Sequence, residues 1–135
     1  MGLLSRILRP RLEATAHCDL PCGVYDPAQA RIEAESVKAI ITKYHASDDD
    51  AFKTRAVLIK EQRSDLVKHH LWVLWTDYFK PPHFEKYPEL HTLFNEATKL
   101  AGASGTKGVL DVAVADQLLA KIDEISKIFW ETKQA

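Results

Sequence analysis

The chain has 135 residues, 46% of them apolar and 27% charged, with a formal net charge of -1 at pH 7; these are the proportions of one soluble globular domain, and no apolar run approaches the ~20 residues that span a bilayer. With the charge near neutral and no basic run beyond residue 16, the electrostatic footprint of a nucleic-acid-binding protein is missing. The two cysteines, four positions apart, would close only a very small loop, so a metal or redox role explains them better than a stabilising disulfide.

Residues 1–16, MGLLSRILRPRLEATA, form a separable leader: Arg6, Arg9 and Arg11 against Glu13 make it +2, whereas 15 basic and 18 acidic residues leave the remainder at -3. Arginines interrupt its apolar positions every two or three residues, unlike a secretory signal, so export is not supported and a cytoplasmic protein is expected. Ala14-Thr15-Ala16 reads as an accessible cleavage site, the alternative being a frayed tail. The Leu3, Leu4, Ile7, Leu8 face could dock on a membrane or a processing partner, but Pro10 and the shortness of the segment speak against stable membrane association.

Within the next stretch, HCDLPCG (17–23), one histidine and both cysteines of the chain meet. Sulfur donors are soft and imidazole is borderline; Pro21 stiffens the return from Cys18 to Cys22, and Gly23 lets the chain leave the turn at little steric cost. While His17 is bonded to Ala16 its nitrogen is an amide, which deprotonates far less readily than an α-amine of pKa about 7.7 to 8.0. Cleavage before His17 would free that amine. The amine, the Cys18 amide nitrogen and the thiolates of Cys18 and Cys22 could then share one plane, with the His17 imidazole axial, an arrangement that suits nickel or copper better than zinc. A zinc site, a thiol redox site or an ordinary cysteine pair stays open on spacing alone.

Four amphipathic segments follow. Asp26-Pro27 starts helix one, which runs to about Tyr44 with Val37, Ile40, Ile41 and Tyr44 inward. Helix two runs from about Asp50 to Tyr78, with Phe52, Ala56, Ile59, Leu66, Val73 and Leu74 along one side, until Lys80-Pro81-Pro82 ends it. Helix three follows Pro88 with Leu90, Leu93, Phe94, Ala97, Leu100 and Ala101; Gly102 to Gly108 is read as a flexible connector; helix four carries Val112, Ala115, Leu119, Ile122, Ile125 and Phe129 and ends near Thr132. The fold expected is all-α, an antiparallel four-helix bundle with an N-terminal metal-binding hook at 17–25. The apolar girth of Leu71 to Trp75 with Phe129 and Trp130 points to subunit contacts, against the alternative of scattered surface aromatics.

The stretch HCDLPCGVYDPAQARIEAESVKA, with IKEQR (59–63), KHH (68–70), DYFKPPHFEKYPELH (77–91) and IFWETK (128–133), closely resembles the nickel-containing superoxide dismutases over essentially all of the chain after residue 16. The resemblance implies a precursor cleaved immediately before His17 by a processing peptidase, a mature domain of residues 17–135, a four-helix bundle, a homohexamer and one nickel ion per subunit. The implied reaction converts superoxide to dioxygen and hydrogen peroxide by Ni(II)/Ni(III) cycling, with protons from water ordered by Tyr25 or from a metal thiolate. His17, Cys18 and Cys22 match the nickel ligands. Asp19 and Tyr25 match residues that shape the hook and bound the substrate cavity, Tyr78 matches a second aromatic near it, and Glu33 and Arg63 match the residues supporting the axial imidazole.

Helical spacing gives a separate reason for that support: Glu33 shares a face with Val37 and Ile40, and Arg63 lies in the row Ala56, Ile59, Arg63, Leu66, His70, so both charges are expected to point inward, as a pair or toward the site. A purely structural ion pair is the rival. His83 and His91 read as capping or surface residues, and His69 and His70 fall on different faces, unlike an i, i+4 metal clamp. Lys80 and Lys86 could steer an anion or be ordinary solvated lysines. The competing class for the whole chain is a non-catalytic nickel- or copper-binding helical bundle.

Overall fold

The computed structural model describes residues 22–134. Its elements are α1 (Ala28–His45), α2 (Asp50–Val73) continuing into a single π turn (Leu74–Tyr78), the short α3 (Pro81–Lys86), α4 (Leu90–Leu100) and α5 (Val112–Gln134). The four long helices form the bundle expected, α1 lying against α2 and α5, and α4 against α5 and α2. Among the described residues there is no strand, and no helix is long and apolar enough to cross a membrane.

Helix one begins where Asp26-Pro27 places it: the Asp26 carboxylate accepts the Ala28 N–H at 2.9 Å, and the Pro27 carbonyl accepts the first helical bond from Arg31. Helix two starts on Asp49, whose carboxylate accepts the N–H groups of Ala51 and Phe52. One core cluster joins Ala30 and Ala34 of α1, Val67, Leu71 and Leu74 of α2 and its π turn, Leu90, Leu93, Phe94 and Ala97 of α4, and Leu118, Ile122, Ile125 and Phe129 of α5. Val37, Ile41 and Ala115 form a second, smaller cluster at the other end of α1.

The inward face of α2 is rotated from the one expected. It runs Ala56, Lys60, Ser64, Val67, Leu71, Leu74, whereas Phe52 is exposed and Ile59, Leu66 and His70 are only half-buried. The discrepancy comes from Lys60 and Ser64, polar residues that apolar spacing leaves out. Lys60 is 2% exposed, and its ammonium donates to the carbonyls of Thr106, Lys107 and Val109 at 2.6, 3.2 and 3.1 Å, with the Glu61 carboxylate at 2.9 Å. The buried Ser64 and Thr106 hydroxyls bond each other at 2.8 Å. A buried charge is tolerable because every donor of the ammonium has an acceptor.

These contacts also correct the reading of 102–108 as a flexible connector. The segment is a built loop: the Thr106 N–H donates to Leu100 O at 2.7 Å and the Lys107 N–H to Gly102 O at 3.1 Å. A Cβ on Gly105 would sit 2.0 Å from Leu100 O, so only glycine lets the backbone pass that close. Lys107 bonds Asp65 at 2.8 Å, and that bond holds the Lys107 pKa above the ordinary lysine value.

Further differences lie at the C-terminal end of α2 and along α5. Beyond Val73 the helix widens, Phe79 donating its N–H to Leu74 O five residues back at 3.0 Å. This stacks Leu74 and Phe79, both 3% exposed, on the same inward side, a register that α-helical spacing does not supply. Lys80-Pro81-Pro82 does end that helix, but it also starts α3, with proline at the first position and His83 Nδ1 accepting the Lys80 N–H at 3.0 Å. On α5 the inward residues are Leu118 and Ile128 in addition to Ala115, Ile122, Ile125 and Phe129, while Leu119 lies at the edge.

Candidate metal centre

His17, Cys18 and Asp19 lie outside the described residues. The described part of the hook begins at Cys22, whose thiol is exposed. The Val24 N–H donates to Cys22 Sγ at 3.4 Å, and the Cys22 thiol donates weakly to Val24 O at 3.8 Å. Gly23 between them has φ +71, the left-handed conformation that releases the chain from the turn, and among the described residues nothing lies within 4 Å of a Cβ placed there. Backbone conformation, not space, makes this position glycine. The fit to a soft metal can be tested at Cys22: its sulfur is exposed and receives an amide N–H, a bond that would stabilise negative charge on sulfur if the thiol gave up its proton to a metal. Among the described residues there is no group of three or more His, Cys, Asp or Glu arranged to hold a metal.

Tyr25, three residues on, is half-buried against the main core, its ring centroid 5.6 Å from that of Tyr78 and tilted by 60°. Tyr78, the last residue of the π turn, packs on Phe129 at 4.3 Å and stacks on the His83 ring at 5.8 Å. Its hydroxyl is 2.6 Å from Thr132 Oγ1, and the Lys133 ammonium stands 5.1 Å from the ring centroid. The structure therefore brings together the entry to α1, the π turn and the C-terminal end of α5. Thr132 and Lys133 were not singled out from the sequence, where they follow the last apolar position of helix four and look like a solvated helix end.

Glu33 and Arg63 meet across α1 and α2: one guanidinium nitrogen of Arg63 donates to both carboxylate oxygens of Glu33, at 3.2 and 3.1 Å. The expectation that both point inward is corrected for one partner. Glu33 is shielded, its side chain 16% exposed, whereas Arg63 is 41% exposed and closes the pair from the rim. Lys80, read as either a steering charge or an ordinary solvated lysine, is exposed at the start of α3, two residues beyond Tyr78. His83 accepts the Lys80 N–H, and His91 Nδ1 accepts the Trp75 indole N–H at 3.1 Å while stacking on Phe84 at 4.1 Å, so both rings have structural partners. The His69 and His70 rings lie edge to face at 5.5 Å on neighbouring positions of α2.

The girth of apolar residues divides into two sets. Leu71, Val73, Leu74 and Phe129 belong to this chain's own interior, whereas Trp72, Trp75 and Trp130 remain 46%, 40% and 47% exposed.

Comparison with known proteins agrees with this architecture. The family model of nickel-containing superoxide dismutase matches residues 12–133. A superoxide dismutase [Ni] of Streptomyces seoulensis is 63% identical over 133 residues, covering 98% of this chain and 100% of the relative, and one of Streptomyces coelicolor is 61% identical over the same shares. The native crystal structure of a nickel superoxide dismutase superposes with a TM-score of 0.85 at 64% identity, covering 88% of this chain and 100% of that one. The chain belongs to the nickel-containing superoxide dismutases, oxidoreductases with nickel as cofactor and superoxide as substrate.

Proposed function

We propose that the chain is a precursor from which residues 1–16 are removed by a processing peptidase, and that the hook beginning at His17 then holds one nickel ion per subunit through His17, Cys18 and Cys22. The observation that carries this reading is the setting of Cys22: an accessible sulfur receiving an amide N–H, joined through Gly23 to a tyrosine seated on the bundle. The solved relative is matched in full by 88% of this chain, the share that residues 17–135 make up. Crystal structures of nickel superoxide dismutase variants altered at a leading histidine, at the aspartate two residues on and at the tyrosine eight residues on add support, since His17, Asp19 and Tyr25 stand at those offsets.

Bound nickel would supply one-electron chemistry between Ni(III) and Ni(II), by which two superoxide ions and two protons become one dioxygen and one hydrogen peroxide. The chain's own residues do the rest. Cleavage turns the His17 nitrogen from an amide into an amine, a donor available near neutral pH. Glu33, held by Arg63 through both oxygens, accepts the free ring N–H of His17 and so fixes the orientation of the imidazole. Asp19 shapes the hook, and Tyr25 and Tyr78 bound a cavity that admits a small anion and orders the water that brings protons. Lys80 adds positive potential at the mouth. Six subunits assemble in the cytoplasm, covering Trp72, Trp75 and Trp130.

The test compares the chain made to begin at His17 with the full chain, both loaded with nickel, measuring bound metal and superoxide consumption. Activity in the shortened chain alone is the expected outcome. Metal bound by both chains with no superoxide consumed by either would overturn the reading in favour of a metal carrier.

A further inference from the structure

The contact between the π turn and the end of α5 has a direction. Thr132 has one hydroxyl proton, and it is committed to the Phe129 carbonyl at 2.6 Å. The same oxygen lies 2.6 Å from the Tyr78 hydroxyl, so toward Tyr78 it must accept, and the phenol must donate. With its proton held by Thr132, the Tyr78 oxygen has only lone pairs left to offer. The ring cannot turn away from this bond without leaving Phe129, 4.3 Å from it, and the stacked His83 ring.

We infer that Thr132 is a positioning residue of the dismutase site, which fixes the Tyr78 phenol as a hydrogen-bond acceptor toward the cavity it shares with Tyr25. A donor entering that cavity, a water molecule or the hydrogen peroxide product, then finds Tyr78 ready to receive a hydrogen bond, while an acceptor in the same place finds no free proton on Tyr78. Thr132 touches neither metal nor substrate and works only through Tyr78. The inference rests on the proposal that Tyr78 borders the site.

The test uses the nickel-loaded chain beginning at His17, with tyrosines labelled at 13Cζ, whose resonance follows the hydrogen bonding of the phenol. In Thr132→Val the Tyr78 signal should move while that of Tyr25 stays, kcat should fall roughly fivefold, the scale of one lost orienting hydrogen bond, and Thr132→Ser should restore both. The salt dependence of kcat/KM should not change, because no charge has been altered. The 13Cζ shift is read on the metal-free chain as well, so the result does not depend on turnover, and Thr132→Ala replaces the valine variant if that fails to fold. Unmoved kcat and Tyr78 signal in Thr132→Val, with kcat altered in Tyr78→Phe, would overturn the inference alone. Unaltered kcat in Tyr78→Phe would overturn the placing of Tyr78 at the site and this inference with it.

Discussion

Arg63 reaches from α2 to α1 and places one guanidinium nitrogen between the two carboxylate oxygens of Glu33, at 3.2 and 3.1 Å, so the acid that is shielded is held by a base that is not. A pair of this kind contributes little to stability when one partner faces water, on the order of 1 kcal/mol or less. Its effect is to orient the Glu33 carboxylate, both of whose oxygens accept from the same nitrogen. Glu33→Ala should lower the activity of the nickel-loaded chain by roughly 10- to 100-fold, the usual cost of removing a carboxylate that supports a metal-bound histidine. Nickel content should fall less, and the helical circular dichroism should persist. Loss of the fold would instead make the pair structural.

Lys60 gives a prediction about stability in which the site takes no part. Its ammonium is the common partner of three carbonyls in the 102–109 loop, and Lys60→Met would keep much of the volume while leaving those carbonyls without their donor. Stability should drop by about 3 kcal/mol, the scale of carbonyls stranded in a buried setting. Gly105→Ala should act on the same loop by sterics, since its Cβ would fall 2.0 Å from Leu100 O. Denaturant midpoints measure both effects. Activity per bound nickel, measured well below the transition, should be unchanged in each variant, and a midpoint unmoved in Lys60→Met would mean that water replaces the ammonium without cost.

The contrast between these two regions shows where the sequence is readable. The first helix start and the end of the second were legible because their signals are local: Asp26-Pro27 and the Lys80-Pro81-Pro82 stop each act within one turn, whereas the Asp49 cap of helix two emerged only from the structure. Helix α4 was legible in detail because Leu90, Leu93, Phe94 and Ala97 repeat at a clean helical period. The inward face of α2 was not, because its middle is Lys60 and Ser64, whose burial depends on acceptors more than forty residues away. At the hook, donor types and spacing alone left a metal site, a thiol redox site and an ordinary cysteine pair open, and it was the resemblance that named nickel; His17, Cys18 and Asp19 lie outside the described residues. Thr132 and Lys133 could not be connected to Tyr78, since only the π turn and the packing of α5 bring them together.

Trp72 and Trp130 are large apolar side chains that the subunit leaves about half exposed, whereas their neighbours Leu71 and Phe129 are fully buried. Trp72→Glu and Trp130→Glu place charge on the surface without entering the core, so each single chain should retain its helical circular dichroism. If these faces lie between subunits, light scattering after size separation should show the assembly shifted toward smaller species, because a charge buried at an interface without a partner costs several kcal/mol, on the order-of-magnitude scale. An assembly of unchanged mass in both variants would remove the tryptophans from any interface.

Lys80 and Lys133 carry the last prediction, which separates attraction of the substrate from chemistry at the metal. Both are exposed; Lys80 lies two residues from Tyr78, and the Lys133 ammonium is 5.1 Å from the Tyr78 ring and 5.6 Å from that of Phe129. Superoxide is an anion, so fixed cations near the proposed site would raise its local concentration and the rate of encounter. That attraction is screened once the Debye length shrinks to about 10 Å near 0.1 M salt. Lys80→Ala and Lys133→Gln should therefore lower kcat/KM at low ionic strength, flatten its fall with added salt and leave kcat nearly unchanged, with the double variant flatter than either. Lys133→Arg, which keeps the charge, should restore the slope. An unchanged slope in the double variant would mean that these lysines are ordinary solvated charges, and that the anion is drawn by other groups near the hook.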